Sequence, residues 1–96
     1  MANIKLPAVH PGEILREEYL KPLNLSPLKL ARMLGVPRTR IERVATEKTS
    51  ITPDTALRLA KVFNTTPRFW LNLQASYDLA TVDTDVSGIE AIEVLA

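Results

Sequence analysis

Apolar residues recur along this chain at helical spacing, and a hydroxyl residue followed by proline heads most of the runs. Ser26-Pro27, Thr52-Pro53 and Thr66-Pro67 each precede such a stretch. A hydroxyl at the cap accepts a backbone N–H left free by the first turn. Proline at the first helical position gives up a donor that had no partner there. His10-Pro11-Gly12-Glu13 opens a further helix less cleanly, with Glu13 placed to reach back over the first turn. The pattern predicts five helices, over residues 11–20, 27–34, 38–45, 53–63 and 67–81, and hence an all-α fold. Their inward faces are Ile14, Leu15 and Tyr19; Leu30, Ala31 and Leu34; Ile41 and Val44; Leu57, Ala60 and Phe63; and Phe69, Trp70, Leu73 and Tyr77.

The stretch LARMLGVPRTRIERV, residues 30–44, interrupts its own periodicity. Leu30, Ala31, Met33 and Leu34 form one apolar face, Ile41 and Val44 resume the spacing, and Gly35-Val36-Pro37 lies between them. A single helix would not choose that tripeptide. A helix ending at Leu34, a turn through Gly35 and a second helix from about Pro37 make a helix-turn-helix. Ala31 is small where the two helices cross, and Gly35 takes a left-handed conformation that a side chain resists. Leu30, Leu34, Val36, Ile41 and Val44 then fill the shared interior. A plain αα-hairpin has similar spacing.

The arginines favour nucleic acid. With Ile41 and Val44 turned inward, Thr39, Glu42, Arg43 and Thr46 face outward, Arg38 sits in the first turn and Arg40 points sideways. In a recognition helix the N-terminal residues meet base edges in the major groove. The arginine fork suits guanine because it matches O6 and N7 together. Lys29, Arg32 and Lys48 flank the helix as candidate phosphate ligands, and Arg40 and Thr46 join them. Residues 29–48 hold six bases and two acids, a balance of +4. Glu42 would repel phosphate unless it pairs with Arg38 or accepts from a cytosine amino group. Glu47 stands where a glycine is expected to end the recognition helix, so either the helix runs on or the loop TEKTS turns by another route.

Charge along the chain sharpens this picture. The net charge is only +1, yet all 12 Lys and Arg lie between Lys5 and Arg68 with six acids, so residues 1–77 carry +6. From Asp78 onward there are five acids and no base, giving −5. A basic body that meets polyanions and an acidic end kept clear of them is one reading, and an uneven solvated surface is the other. At 96 residues and 46% hydrophobic content the chain is expected to form one packed domain. The absence of cysteine excludes disulfides, thiol catalysis and thiolate metal sites. No apolar run approaches a membrane span, and MANIKLPAVHPGE lacks the apolar core of a signal peptide, so a cytoplasmic protein is expected. His10 is the only histidine. With Glu13 and Glu17 it makes a poor catalytic site, so it reads as a helix-start residue, and no enzyme, metal or cofactor is expected.

Residues 1–82 thus form the DNA-binding domain, with the motif at 27–46, and residues 83–96 an acidic tail. In DVSGIEAIEVLA, Ile89, Ala91, Ile92 and Val94 alternate loosely with acids, which suits either a short C-terminal strand or an irregular end. A lone strand must pair with something, for instance its twin in a dimer. The fifth helix carries apolar residues at 69, 70, 71, 73, 77 and 79, more than one face needs. A homodimer is therefore expected through Trp70, Leu73, Tyr77, Ile89 and Ile92, with an inverted-repeat operator to match.

With these residues assembled, the chain resembles the HigA-type antitoxins, a branch of the Cro/repressor-like (XRE) helix-turn-helix family. The likeness runs from about His10 to Val86. It is carried by HPGEIL, LARMLGV with the following helix, ITPDTALRLAKVF and, most specifically, TPRFWLNLQASYDLA. The resemblance implies a five-helix domain and a small dimer that binds double-stranded operator DNA. It also implies neutralisation of a RelE-fold ribonuclease toxin that cuts messenger RNA, and repression of the operon encoding both proteins. By position, Arg38 and Thr39 fall at the two leading base-reading places and Arg43 at a further one.

Other readings share parts of this pattern. A stand-alone repressor of the same fold would have no toxin partner, and a protein-binding module would have lost operator recognition. For a basic toxin the acidic patches on offer are Glu13, Glu17 and Glu18 or the tail beyond Asp78, the Glu trio otherwise being a solvated helix face.

Overall fold

The computed structural model describes residues 8–93. Five helices form, and no strand is present among those residues. Helix α1 begins as one α-turn at Pro11–Ile14 and continues through Leu15–Leu20 in π register. It is followed by α2 (Pro27–Leu34), α3 (Arg38–Ala45), α4 (Pro53–Phe63) and α5 (Pro67–Thr81). The hydroxyl caps form as their spacing predicts. Ser26 Oγ, Thr52 Oγ1 and Thr66 Oγ1 accept from the backbone N–H groups of Lys29, Thr55 and Phe69 at 3.1, 3.4 and 3.1 Å. At α1 the cap is His10 rather than Glu13. Its Nδ1 accepts from the Gly12 N–H at 2.8 Å, while Glu13 stays exposed.

Four helices end in the same way. Asn24, Gly35, Glu47 and Asn64 take left-handed φ angles of 50°, 70°, 65° and 55°. After each of them the next N–H reaches back to a carbonyl that has lost its helical partner. Leu25 bonds Leu20 O at 2.8 Å, Val36 bonds Ala31 O at 3.0 Å, Lys48 bonds Arg43 O at 2.8 Å and Thr65 bonds Ala60 O at 3.0 Å. Glycine tolerates this conformation and asparagine nearly does. A glutamate there costs about 1–2 kcal/mol. The recognition helix therefore stops at Ala45, and the loop turns on Glu47 as it would on glycine.

The interior gathers around Leu15, Leu30, Ile41, Val44, Leu59 and Trp70, all essentially inaccessible to solvent. Trp70 donates its indole N–H to Thr65 Oγ1 at 2.8 Å and packs against Tyr19, with ring centroids 5.3 Å apart. Two sequence-read faces turn out differently. Leu57 is 60% exposed, and α4 buries Thr55, Ala56 and Leu59 beside the expected Ala60. This helix packs on both α2 and α5, with Leu59 filling the interior and Ala56 and Ala60 keeping the rest of the buried face small. Phe69 and Met33 are likewise exposed, and Met33 and Leu57 border a shallow hollow with Lys61 and Val62. Gln74 is buried although polar. Its Oε1 accepts from the Ile51 N–H at 2.7 Å and its Nε2 donates to Asp78 Oδ1 at 2.9 Å, which ties the segment after α3 to α5.

From residue 82 to residue 93 the chain is an exposed arm with no helix or strand and a turn at Ser87 and Gly88. A strand in one chain has no ladder to join. Val94 lies outside the described residues, as does most of the N-terminal stretch read for a signal peptide.

Gly12 decides how α1 meets α3. A β-carbon built there would lie 1.8 Å from the backbone oxygen of Val44, so the first turn of α1 rests directly on the last turn of α3. Gly12→Ala is expected to destabilise the fold by about 1–3 kcal/mol or more, because neither partner is a side chain that can swing away. Urea unfolding measures it, and a midpoint equal to the parent's would refute the contact.

Candidate nucleic-acid interface

The face that α3 turns to solvent follows from the face it buries. Ile41, Val44 and Ala45 point into the core, which leaves Arg38, Thr39, Arg40, Arg43 and Thr46 exposed. The turn before this helix is rigid. Gly35 closes α2, and Arg58 Nη1 donates to Leu34 O at 2.7 Å, so an arginine from α4 caps the end of α2. Pro37 then enters α3 in an extended conformation.

The six candidate bases divide into two groups. Arg38 is paired with Glu42, Nε to Oε1 at 2.8 Å, one turn apart on the exposed face. Glu42 thus takes the first of its two expected roles. Such exposed pairs contribute only about 0.3–0.5 kcal/mol, far less than a bidentate contact to a base, so the pair holds Arg38 without locking it. Arg40 leans sideways as expected and pairs there with Asp54, which also receives Arg58 Nε at 3.0 Å. Hydrogen bonds from Arg58 and then Arg40 hold the Asp54 carboxyl below its usual range. The stabilisation from that lowered value is present above the ordinary carboxylate pKa and is lost as pH falls through the lowered one.

Arg43, Lys29, Arg32 and Lys48 are exposed and have no ion pair among the described residues. Arg43 borders a hollow with the α4 cap Thr52 and with Thr49 and Ser50, two loop hydroxyls that sequence spacing did not single out. Thr46 is less available than expected. Its hydroxyl proton goes to Glu42 O at 2.7 Å, so donation to a phosphate would require breaking that bond.

The residues expected at a dimer contact are not equivalent. Trp70 is fully enclosed within its own chain and leaves the set, because a buried side chain cannot meet a second copy. Leu73 and Tyr77 are half-buried, the latter edge-on to His10 at 4.8 Å between ring centroids. Ile89 and Ile92 stand free on the arm, joined by Leu79, Val82 and Val86. Among the described residues no helix is long and apolar enough to cross a membrane.

Known proteins carry the same arrangement. A helix-turn-helix family model matches residues 17–70. Virulence-associated protein I of Dichelobacter nodosus is 49% identical over 88 residues, covering 92% of this chain and 82% of the relative. Pseudomonas aeruginosa antitoxin HigA, solved with the higBA promoter, superposes with a TM-score of 0.77 at 44% identity, covering 78% of this chain and 82% of its own. Antitoxin GraA in complex with its operator gives a TM-score of 0.85 at 35% identity, covering 98% and 100%. The chain belongs to the XRE-type helix-turn-helix family of DNA-binding regulators, which are not enzymes, and its structural neighbours there include HigA antitoxins.

Proposed function

We propose that this protein is the antitoxin of a type II toxin–antitoxin pair, a homodimer that represses its own operon and neutralises an mRNA-cleaving toxin of the HigB/RelE kind. The DNA side is carried by the outward ridge of α3, where Arg38, Thr39 and Arg43 stand opposite the buried Ile41 and Val44. Lys29, Arg32 and Lys48 flank that ridge as phosphate ligands. That the similar HigA and GraA were solved with promoter and operator DNA supports DNA binding by this chain. A repressor without a toxin would share all of this, and co-purification with the product of the neighbouring gene separates the two.

The dimer is carried by the fifth helix and the arm, where Leu79, Val82, Val86, Ile89 and Ile92 expose apolar surface that one chain leaves uncovered. A two-fold dimer requires an inverted-repeat operator with half-sites about one helical turn apart. On the toxin side, Lys21 and Arg16 hold the Glu17 carboxyl ionised below its usual range, and their two positive charges already offset it. Glu90 and Glu93 on the arm have no basic partner among the described residues. The arm is the better match to a basic ribonuclease.

Arg38→Ala or Arg43→Ala is expected to cost about 1–3 kcal/mol on the operator and to relax preference at one base pair. Arg40→Ala is expected to weaken all DNA sequences alike and to lower the salt slope by about one unit. Asp54→Asn, which releases Arg40, is expected to raise affinity for scrambled DNA. Salt titrations on operator and scrambled duplexes, with thermal melts as control, read all four. Parent-like operator binding by both Arg38→Ala and Arg43→Ala would reduce the basic cluster to a solvated face.

Light scattering at micromolar concentration without DNA is expected to report a dimer, and Ile89→Asp with Ile92→Asp to shift it toward monomer. A monomeric parent would rule out the arm contact. Charge reversal at Glu90 and Glu93 is expected to weaken toxin capture more than reversal at Glu13 and Glu17, measured by pull-down. The opposite order would move the toxin surface to α1.

A further inference from the structure

We propose that Arg16, on a helix that carries none of the DNA-reading residues, is a positioning residue for operator binding. It fixes the end of the recognition helix and masks a carboxylate at the rim of the interface. The proposal rests on the DNA-binding reading above. Arg16 lies in the π-register part of α1 and reaches across to the end of α3. Its Nη1 donates to Ala45 O, its Nη2 pairs with Glu47 Oε2 at 3.3 Å, and its Nε pairs with Glu17 Oε2 at 2.8 Å. One planar fork thus serves three acceptors, a geometry that lysine cannot reproduce.

The middle contact explains how a glutamate can stand in a glycine's place. Glu47 holds φ at 65°, and its carboxylate is anchored by Arg16 away from the neighbouring Lys48, a candidate phosphate ligand. Released from Arg16, this loop would lose its anchor in a strained conformation. It would also present an unpaired anion beside the DNA backbone. Both effects act on phosphate contacts and on the set of α3, not on base choice. The end of α2 offers an internal comparison. There glycine takes the left-handed position, and Arg58 caps the Leu34 carbonyl while its acid partner, Asp54, lies on its own helix rather than in the turn.

The experiment is a rescue. Arg16→Met keeps the stem and removes the fork, and is expected to weaken binding about tenfold on operator and scrambled DNA alike. Adding Glu47→Gly to Arg16→Met is expected to restore affinity to within about twofold of the parent, because glycine adopts the turn unaided and carries no charge. Because Glu47→Gly also relieves the strained turn, thermal melts accompany each titration: a positioning role gives Arg16→Met weakened binding with parent-like melting, and a melting loss that parallels the binding loss would overturn it. Arg16→Lys is expected to fall between parent and Arg16→Met. Should Arg16→Met fail to fold, Glu47→Gly alone still decides, since it is expected to bind at least as tightly as the parent and a clear loss would overturn the proposal. Parent-like binding by Arg16→Met, or a double variant no better than Arg16→Met, would also overturn it. Arg43→Ala run alongside separates the two failures. If it loses operator affinity while Arg16→Met does not, only the positioning role falls; if both bind like the parent, the DNA reading falls and takes this role with it.

Discussion

The contact on which the rest of the structure depends is backbone against backbone, between Gly12 and the carbonyl of Val44. The last turn of the recognition helix is fixed by an element outside the helix-turn-helix itself. From that contact the placements follow in order. His10 caps α1 so that Gly12 arrives in the right register, Leu15 and Val44 close the interior behind it, and Arg16 one turn on reaches the end of α3. A protein that reads DNA through a short helix needs that helix held to within fractions of an ångström, and a contact with no side chain in it has no rotamers to average over.

A second constraint is the handedness of the helix ends. Four short helices in so small a chain require four sharp reversals, and the left-handed residue with its back-bond to the preceding helix supplies each one. Only one of the four is glycine. Where the residue is asparagine the conformation is close to free, and where it is Glu47 a neighbouring side chain has to support it. The ends of α2 and α3 are both capped from other helices by arginines, so the reading motif is braced at its turn and at its exit by charges that need not touch nucleic acid.

Much of this was legible in the sequence, for reasons that are local. The hydroxyl-proline pairs at 26, 52 and 66 predict their helices because cap and first turn involve neighbouring residues only. Gly35 announced its turn for the same reason. Spacing also separated Ile41 and Val44 from the arginines, since one helix cannot hide two opposite faces. What spacing missed depends on residues far apart in the chain. Leu57 looked like core until α4 had to pack on two helices at once, and Ala56 and Leu59 took its place. Spacing placed Trp70 both on the inward face and at the dimer contact, and its enclosure beside Tyr19 leaves only the inward placement. Gln74 and Arg16 gave no signal because each finds its partner more than twenty positions away. Glu47 was flagged as odd, and only the turn itself shows how the oddity is accommodated.

The arm has a consequence for the lifetime of the protein. A protease needs several consecutive residues in extended form with their backbone groups free, and a folded helix offers them only after local opening. Residues 82–93 come nearer to that, since every position is exposed and, apart from a turn at Ser87 and Gly88, belongs to no regular element. Cutting there does not wait for global unfolding, so the rate follows how much of the time the arm is covered, not how stable the core is. A partner that covered the arm would slow that cutting without changing the stability of the core.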